Sequence, residues 1–422
     1  MRVLLIGGGG REHAIGWKLS QSPILDRLVS CPGNPGLETL GDVVDDVDPE
    51  NPAAIVALCK ERAIDLVVVG PEGPLAAGVA DELIAERISV FGPTRAGTRL
   101  ESSKSFAKEI MVAAGVPTAG SATFQDREAA VIHLEKSPGP YVVKADGLAA
   151  GKGVLVTESL EAATHWVDEC LGGRIGATGS SVVIEDHLVG DEVSIIYVCA
   201  NGEAIPFQPA RDYKRLLEDD QGPNTGGMGC FSPVEDVDED LVDWTTARVT
   251  LPTLGELESR GIAYTGFLYV GLMLTSSGPK VLEFNCRLGD PETEVLMPRI
   301  CSDLLVVLNA AANGALTGQH ITWTERVAVD VVLAAPGYPE SPLKGLEISG
   351  LESLQDVIVF HAGTRMTNKG LMTSGGRVLN VVGIGDTVGE ARRNAYAGVH
   401  QIDFEGKQYR TDIAAERKGT SP

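Results

Sequence analysis

The run Leu282-Glu283-Phe284-Asn285-Cys286-Arg287-Leu288-Gly289-Asp290-Pro291-Glu292 carries more chemistry-bearing side chains than any other stretch of the chain. It has the pattern of a strand that ends in a loop. Side chains alternate across a strand, which puts Glu283 and Asn285 on one face and Leu282 and Phe284 on the other, toward the core. A carboxylate and an amide oxygen two residues apart on one face suit a hard cation such as magnesium. Arg287 follows at the strand end, where a planar guanidinium can grip a carboxylate or a phosphate. Two further acids, Asp290 and Glu292, come next. The combination points to phosphoryl transfer. The bland alternative makes Glu283 a salt-bridge partner of Arg287.

Four other segments could hold a ligand. Gly7-Gly8-Gly9-Gly10-Arg11-Glu12-His13 follows a strand and invites a dinucleotide fingerprint, but the third glycine position falls on Glu12 or His13. The next strand also ends at Cys31-Pro32 rather than at an acid for a ribose hydroxyl. A helix start at Gly9, Gly10 and Arg11 that binds an anion such as a sugar phosphate remains, against a plain tight turn. Asp146 to Gly153 is not a Walker A loop, because Gly147 stands one residue too close to Gly151-Lys152 and Gly153 replaces Ser or Thr. Strands on both sides make it a hairpin tip. With Lys144, Gly151, Lys152 and Gly153 it could fold over a triphosphate as a mobile lid. Val182–Glu185 runs into an acid-rich turn where backbone between Glu185 and Leu188 could pair with a base edge, and Glu192 could hold ribose hydroxyls. Asp212, Lys214 and Arg215 precede a glycine-rich loop, Gly222 to Gly229, that must lie close to something. His13, His187 and His361 have no metal or relay spacing and read as structural or solvated.

These residues need elements to position them. Residues 1–100 alternate strand and helix: Val3–Ile6, helix Arg11–Ser20, Leu28–Ser30, helix Ala53–Glu61, Leu66–Val69, helix Leu75–Glu86 and Val90-Phe91. That order implies a parallel sheet with helices on both faces and ligand loops at the strand ends. Three glycine-rich segments fall there: Gly7–Gly10, Gly33–Gly36 and Gly70–Gly73. Helix Ser103–Ala114 follows. A small strand-rich unit spans about 121–187. Longer strands, Val193–Cys199, Tyr264–Thr275 and Lys280–Asn285, come with helices at about 238–260 and 292–313. From Val327 a last unit of strands runs to residue 413, with 386–400 helical.

The chain has 422 residues, 43% hydrophobic and 22% charged, enough for several full cores. A net charge of −23 argues against a nucleic-acid surface. Seven cysteines without a metal-ligand spacing fit a reducing compartment. The N-terminal apolar run is too short for a secretion signal, and no run reaches membrane-span length, so the expected location is cytoplasmic.

Together the motifs resemble the ATP-grasp superfamily and, within it, the glycinamide ribonucleotide synthetase family of phosphoribosylamine–glycine ligases. The most specific element is Arg287-Leu288-Gly289-Asp290-Pro291-Glu292-Thr293-Glu294. In order along nearly the whole chain stand also Gly7–His13, Gly33–Gly36, Gly70-Pro71-Glu72-Gly73-Pro74-Leu75, Ser102–Phe106, Lys144–Val154, Gly222–Gly229 and Ser374–Leu379. Cys230 stands where alanine is expected and Ala414 where glycine is usual.

The resemblance implies an α/β fold of three parts: a Rossmann-like domain (1–102), an ATP-grasp body (103–325) with its lid at about 121–187, and a small C-terminal domain (326–422). It implies that ATP, glycine and 5-phosphoribosylamine give glycinamide ribonucleotide, ADP and phosphate through a glycyl phosphate, in purine biosynthesis. Mg2+ or Mn2+ falls to Glu283 and Asn285. Lys104, Lys144 and Arg287 add positive charge around the transferred group. Gly9, Gly10, Arg11, Asn34, Pro35, Gly36 and Glu72, with Lys214, Arg215, Asn224, Thr225, Gly226 and Gly227, are expected to hold the ribose phosphate. Asp212 and Asp290 are candidates for the glycine ammonium or the attacking amine. The expected state is a monofunctional monomer or weak homodimer, without nucleic acid or membrane partners. Rival readings are another ATP-grasp carboxylate–amine ligase, a nicotinamide dehydrogenase and a non-catalytic nucleotide-binding regulator.

Overall fold

The structure is a computed structural model of the 422-residue chain and describes residues 1–149, 153–175 and 181–415. The N-terminal sheet is parallel throughout, in the spatial order Asp42–Val43, Arg27–Pro32, Arg2–Gly7, Leu66–Val69, Ser89–Phe91. Its central strands are near-continuous apolar runs because helices cover both faces. Strand order reverses between Arg2–Gly7 and Leu66–Val69, so the crevice for ligands opens at their C-terminal ends. There Gly7, Gly8, Glu72 and Gly73 line a small cavity of about 450 Å³ that Leu148 and Ala149 of the lid also reach. The single helix expected over Leu75–Glu86 is two, Glu72–Ala77 and Val79–Ala85. Gly78 breaks it with a left-handed φ of +90°, the usual way a helix ends.

The lid is less strand-dominated than its sequence suggests. Four antiparallel strands, Ser121–Phe124, Val182–Asp186, Tyr141–Ala145 and Val154–Thr157, are backed by helices Arg127–Lys136 and Leu160–Leu171. Ala130, Leu134, Val143, Val167 and Ile184 give it a core of its own.

The body carries the antiparallel sheet Glu203–Pro206, Asp191–Ala200, Gly266–Thr275, Gly278–Asn285. A bulge interrupts the last pair. Gly271 faces Glu283 and Leu272 faces Val281, which leaves Leu282 as the extra residue. The strict alternation expected around Glu283 therefore fails at one point. Phe284 and Leu282 both reach the main cavity, but Phe284 is buried in the core as expected, whereas Leu282 is only half-buried and stands outside it. The helix expected over 292–313 is also interrupted. Glu292–Leu296 passes into a 3₁₀ turn, Met297–Arg299, with Pro298 inside it, and helix Leu304–Ala312 restarts under an Asp303 cap.

The C-terminal sheet runs Arg211–Asp212, Gly229–Ser232, Val327–Ala334, Arg377–Gly385, Val357–His361, and helix Val388–Gln401 packs on it. Its first two strands come from the middle of the chain, across the division expected at 325. The stretch between them, from Tyr213 to Met228, is thereby hung from two domains at once. The N-terminal sheet shares one apolar core with the body and a second with the body and the C-terminal sheet. The described residues contain no helix long and apolar enough to cross a membrane.

Candidate active site

All four parts meet around a cavity of about 2260 Å³ whose walls alternate cations and acids. The strand end Glu283–Asn285 forms its floor. Among the described residues no ion pair joins Glu283 to Arg287; Arg287 instead pairs with Glu72 at 3.3 Å and Glu101 at 2.7 Å. The hydrogen-bonding surroundings orient the Asn285 amide with its nitrogen donating to Glu101 Oε1 and to the Phe284 carbonyl, each at 3.2 Å. Its oxygen is thus turned away from Glu101. Among the described residues no three His, Cys, Asp or Glu side chains are grouped to hold a metal by themselves. A carboxylate with an amide oxygen matches what magnesium takes from a protein when substrate phosphates complete its shell, so the residues present fit a nucleotide-bound divalent ion.

The lysines stand opposite. Ser103 caps helix Lys104–Ala113 by accepting from the Phe106 amide at 3.2 Å, which puts Lys104 at the helix start. Lys104 Nζ donates to the Gly147 carbonyl at 3.1 Å. Burial lowers its pKa, while Glu283 pulls it back up. Lys144 donates to the Leu282 carbonyl at 3.3 Å and pairs with Glu185 at 3.0 Å. Glu185 also holds Lys108 at 3.3 Å. Sequence reasoning missed Lys108, although it stands four residues after Lys104 and so shares its helix face. Gly153 and Leu188 line the cavity. Gly151 and Lys152, with Ala150, lie outside the described residues.

A second charged group lines another part of the cavity wall. Lys214 Nζ lies 2.7 Å from Asp212 and 2.8 Å from Glu192, which holds the lysine charged. Burial raises the Asp212 carboxyl, against the pull of Lys214. Glu292, given no role from sequence, accepts from Ser194 Oγ at 3.2 Å, and Ser194 meets the Tyr269 hydroxyl at 2.6 Å. Burial first, then the neighbouring Asp212, pushes the Glu292 carboxyl up to about 7.

Arginines clamp the loop that follows the floor. Arg11 pairs with Glu12 at 2.6 Å and donates to the Leu288 carbonyl at 3.1 Å, which Arg287 also reaches at 3.2 Å. Arg377, matched in sequence but given no role, donates to the carbonyls of Gly226 at 2.6 Å and Asp290 at 2.7 Å, and lies 3.1 Å from the Asp290 carboxylate. Asp290 is therefore an ion-paired group rather than a bare base. The 222–229 segment is not one close-packed loop. Gly222 and Pro223 are exposed in strand Gln221–Asn224, which pairs with Arg215–Leu217, and only Gly227, Met228 and Gly229 form a continuous buried run. Asn224, Thr225 and Gly226 line the cavity with Lys214 and Arg215. Thr225 Oγ1 donates to the Lys214 carbonyl at 2.8 Å. Gly227, at φ +115°, lies against Pro291, where no side chain would fit.

The N-terminal loops are tied up in contacts of their own. Gly9 N donates to Glu12 Oε2 at 2.7 Å, so the helix's own acid takes an amide expected to meet an anion. Gly10 is pressed against Asn380 and Glu294. Asn34 Oδ1 accepts from Gly36 N at 2.9 Å and Leu37 N at 3.0 Å. Its nitrogen donates to the carbonyls of Gly8 at 3.0 Å, Gly9 at 3.2 Å and His361 at 2.7 Å. Pro35 begins the short helix that Asn34 caps, and Gly36 lies under the His13 ring. Gly9, Gly10, Asn34, Pro35 and Gly36 are thus not among the residues that line the main cavity, whereas Arg11 and Glu72 are.

Three family models match in sequence order: the phosphoribosylglycinamide synthetase N domain over residues 1–101, its ATP-grasp (A) domain over 102–293 and its C domain over 328–416. The phosphoribosylamine–glycine ligase of Mesorhizobium japonicum is 46% identical over 98% of this chain and 97% of its own length. That of Ralstonia nicotianae is 47% identical, with 98% of each covered. The crystal structure of the Thermotoga maritima phosphoribosylamine–glycine ligase superposes with a TM-score of 0.87 at 38% identity, over 98% of this chain and 100% of that one. The biotin carboxylase domain of Hydrogenobacter thermophilus 2-oxoglutarate carboxylase, at 15% identity and a TM-score of 0.74 over 97% and 91% of the two chains, shares the fold alone. With all three domain models matched and full-length relatives well above the level of fold resemblance, this chain belongs to the phosphoribosylglycinamide synthetase family.

Proposed function

We propose that this chain joins glycine to 5-phosphoribosylamine at the expense of ATP, giving glycinamide ribonucleotide, ADP and phosphate, as the second step of de novo purine synthesis. The observation that carries this reading is the convergence, in one cavity, of the Glu283–Asn285 floor, the lysines of the lid side and the 222–229 loop, in a chain that matches ligases of this name from end to end. A carboxylate is a poor electrophile, so ATP first converts glycine to glycyl phosphate. The phosphoribosylamine nitrogen then attacks its carbonyl carbon, phosphate leaves with the bonding pair of the C–O bond, and the nitrogen gives up one proton to the leaving phosphate or to solvent.

Glu283 and Asn285 would hold Mg2+ or Mn2+, which supplies charge neutralisation on the phosphate oxygens. Lys104 and Lys144 place fixed positive charge where the transferred group must pass. Arg287, already braced by Glu72 and Glu101, adds a third cation without reorganising. The lid keeps water from the glycyl phosphate. Arg11, Glu72, Lys214, Arg215 and residues Asn224 to Gly226 would face the phosphoribosyl end, with Gly227 packed behind them against Pro291. Asp212 and Asp290, paired with Lys214 and Arg377, would orient an ammonium. We place the enzyme in the cytoplasm as a monomer or weak homodimer.

ADP release measured with glycine and phosphoribosylamine, singly and together, tests the proposal. Release is expected only with the pair, and poorly when alanine or serine replaces glycine. Rapid turnover with ammonia or another amino acid, and none with the pair, would instead assign a different ATP-grasp ligase.

A further inference from the structure

Three consecutive residues at the cavity floor converge on one buried carboxylate. Glu101 Oε1 lies 2.7 Å from the Arg287 guanidinium and 3.2 Å from the end of the Asn285 amide that its surroundings assign as the nitrogen. Glu101 Oε2 accepts from Cys286 N at 2.8 Å and from Cys286 Sγ at 3.0 Å. Glu101 comes from helix Arg95–Ser102, which packs against strand Gly278–Asn285, so its reach is set by rigid elements on both sides. It is buried, with a side chain 7% exposed.

The two ends of an asparagine amide are nearly the same size, so packing cannot choose between them; only hydrogen-bond partners can. An ionised carboxylate accepts and never donates, which makes it a selector for the nitrogen end. The wrong orientation would turn an N–H₂ toward a cation. We propose that Glu101 is a positioning residue that fixes the Asn285 amide with its oxygen available to a divalent ion and, through the same carboxylate, anchors Arg287 beside it. The inference rests on the reading of Glu283 and Asn285 as metal donors.

Mn2+ binding to the full chain at saturating ADP, followed by electron paramagnetic resonance, tests it. Glu101→Gln offers one oxygen and one N–H₂ where two accepting oxygens stood, so it cannot satisfy both Asn285 and Cys286. Mn2+ affinity should fall by about tenfold, the usual scale for losing an outer-shell partner. Asn285→Asp presents oxygen at both ends. In that background Glu101→Gln should leave Mn2+ affinity unchanged or raise it. An equal loss in both backgrounds would mean that Glu101 acts by charge alone and would overturn the proposal, as would undiminished affinity in Glu101→Gln itself. If the glutamine variant does not fold, Glu101→Asp, which keeps the charge but retracts it by one methylene, should show the same background dependence. Glu283→Gln separates the two levels. Loss of Mn2+ there with none in Glu101→Gln removes only the role of Glu101. No loss in Glu283→Gln moves the ion elsewhere, and the proposal falls with it.

Discussion

Glu283 reaches a partly exposed position on the cavity wall, where Lys104 feels its charge. Its side chain contributes little to packing, so Glu283→Gln should melt within a few degrees of the parent. Turnover should fall by a factor on the order of 10²–10³, the scale of ~3 kcal/mol or more of lost electrostatic stabilisation. Calorimetry and ADP release on the same variant decide the matter; a variant that melts far lower yet turns over normally would make Glu283 structural. Asn34 is the opposite case. Its side chain caps a helix and donates to three carbonyls, so Asn34→Ala should destabilise the chain by roughly 2–4 kcal/mol, from the lost cap and the stranded carbonyls, while Michaelis constants stay near parental values. Denaturant titration set beside steady-state kinetics checks it. A polar residue in a glycine-rich loop at a strand end looks like a ligand contact in sequence. What distinguishes the two residues is where their partners come from: one of Asn34's carbonyl acceptors belongs to His361, 327 positions away, and no local pattern announces it.

Among the elements, those set by runs of apolar residues were legible and those set by one or two residues were not. The parallel N-terminal sheet follows from strands bounded by glycine. The break at Gly78 and the bulge at Leu282 depend on a single left-handed residue and a single unpaired one. Of the lid's two helices, Arg127–Lys136 has only a weak hydrophobic pattern, whereas Leu160–Leu171 carries a clear apolar face that was legible and was missed. Because the lid closes on its own small core, it can shift as a body without opening the others. ATP with magnesium should therefore slow amide exchange in Tyr141–Ala145 and Val182–Asp186 more than in Arg2–Gly7. Hydrogen–deuterium exchange measures this, and equal change in all three strands would mean that the lid does not respond as a separate unit.

At the scale of the molecule, the three-part layout was visible in the order of motifs, but the contacts between parts were not. One such contact has a measurable pH dependence. His361 N donates to His13 Nδ1 at 2.8 Å, joining the first helix to the C-terminal sheet through an unprotonated ring nitrogen. Burial lowers His13 to about 3 and His361 to about 4. Below about 6.5 the unfolded chain takes up protons that the folded one refuses, so this contribution to stability is whole above that pH and is lost as the pH falls. Burial raises the carboxyls of Glu292, Glu294 and Asp330, which act with the opposite sign. The informative quantity is therefore a difference. Relative to His13→Gln, the parent should lose about 1.6 kcal/mol between pH 6.5 and 5, the slope approaching about 1.4 kcal/mol per unit only toward the lower end; denaturant midpoints at the two pH values check it. The C-terminal sheet carries a consequence of another kind. Its strands Arg211–Asp212 and Gly229–Ser232 are hydrogen-bonded into a sheet whose remaining three strands lie beyond residue 326. Severing the chain at that point would not yield two self-sufficient pieces. One piece would bear an orphaned strand pair and the other a bare edge shaped to receive it, so the halves would behave as complementing fragments, and the stretch between the two strands would take its shape only when they rejoin.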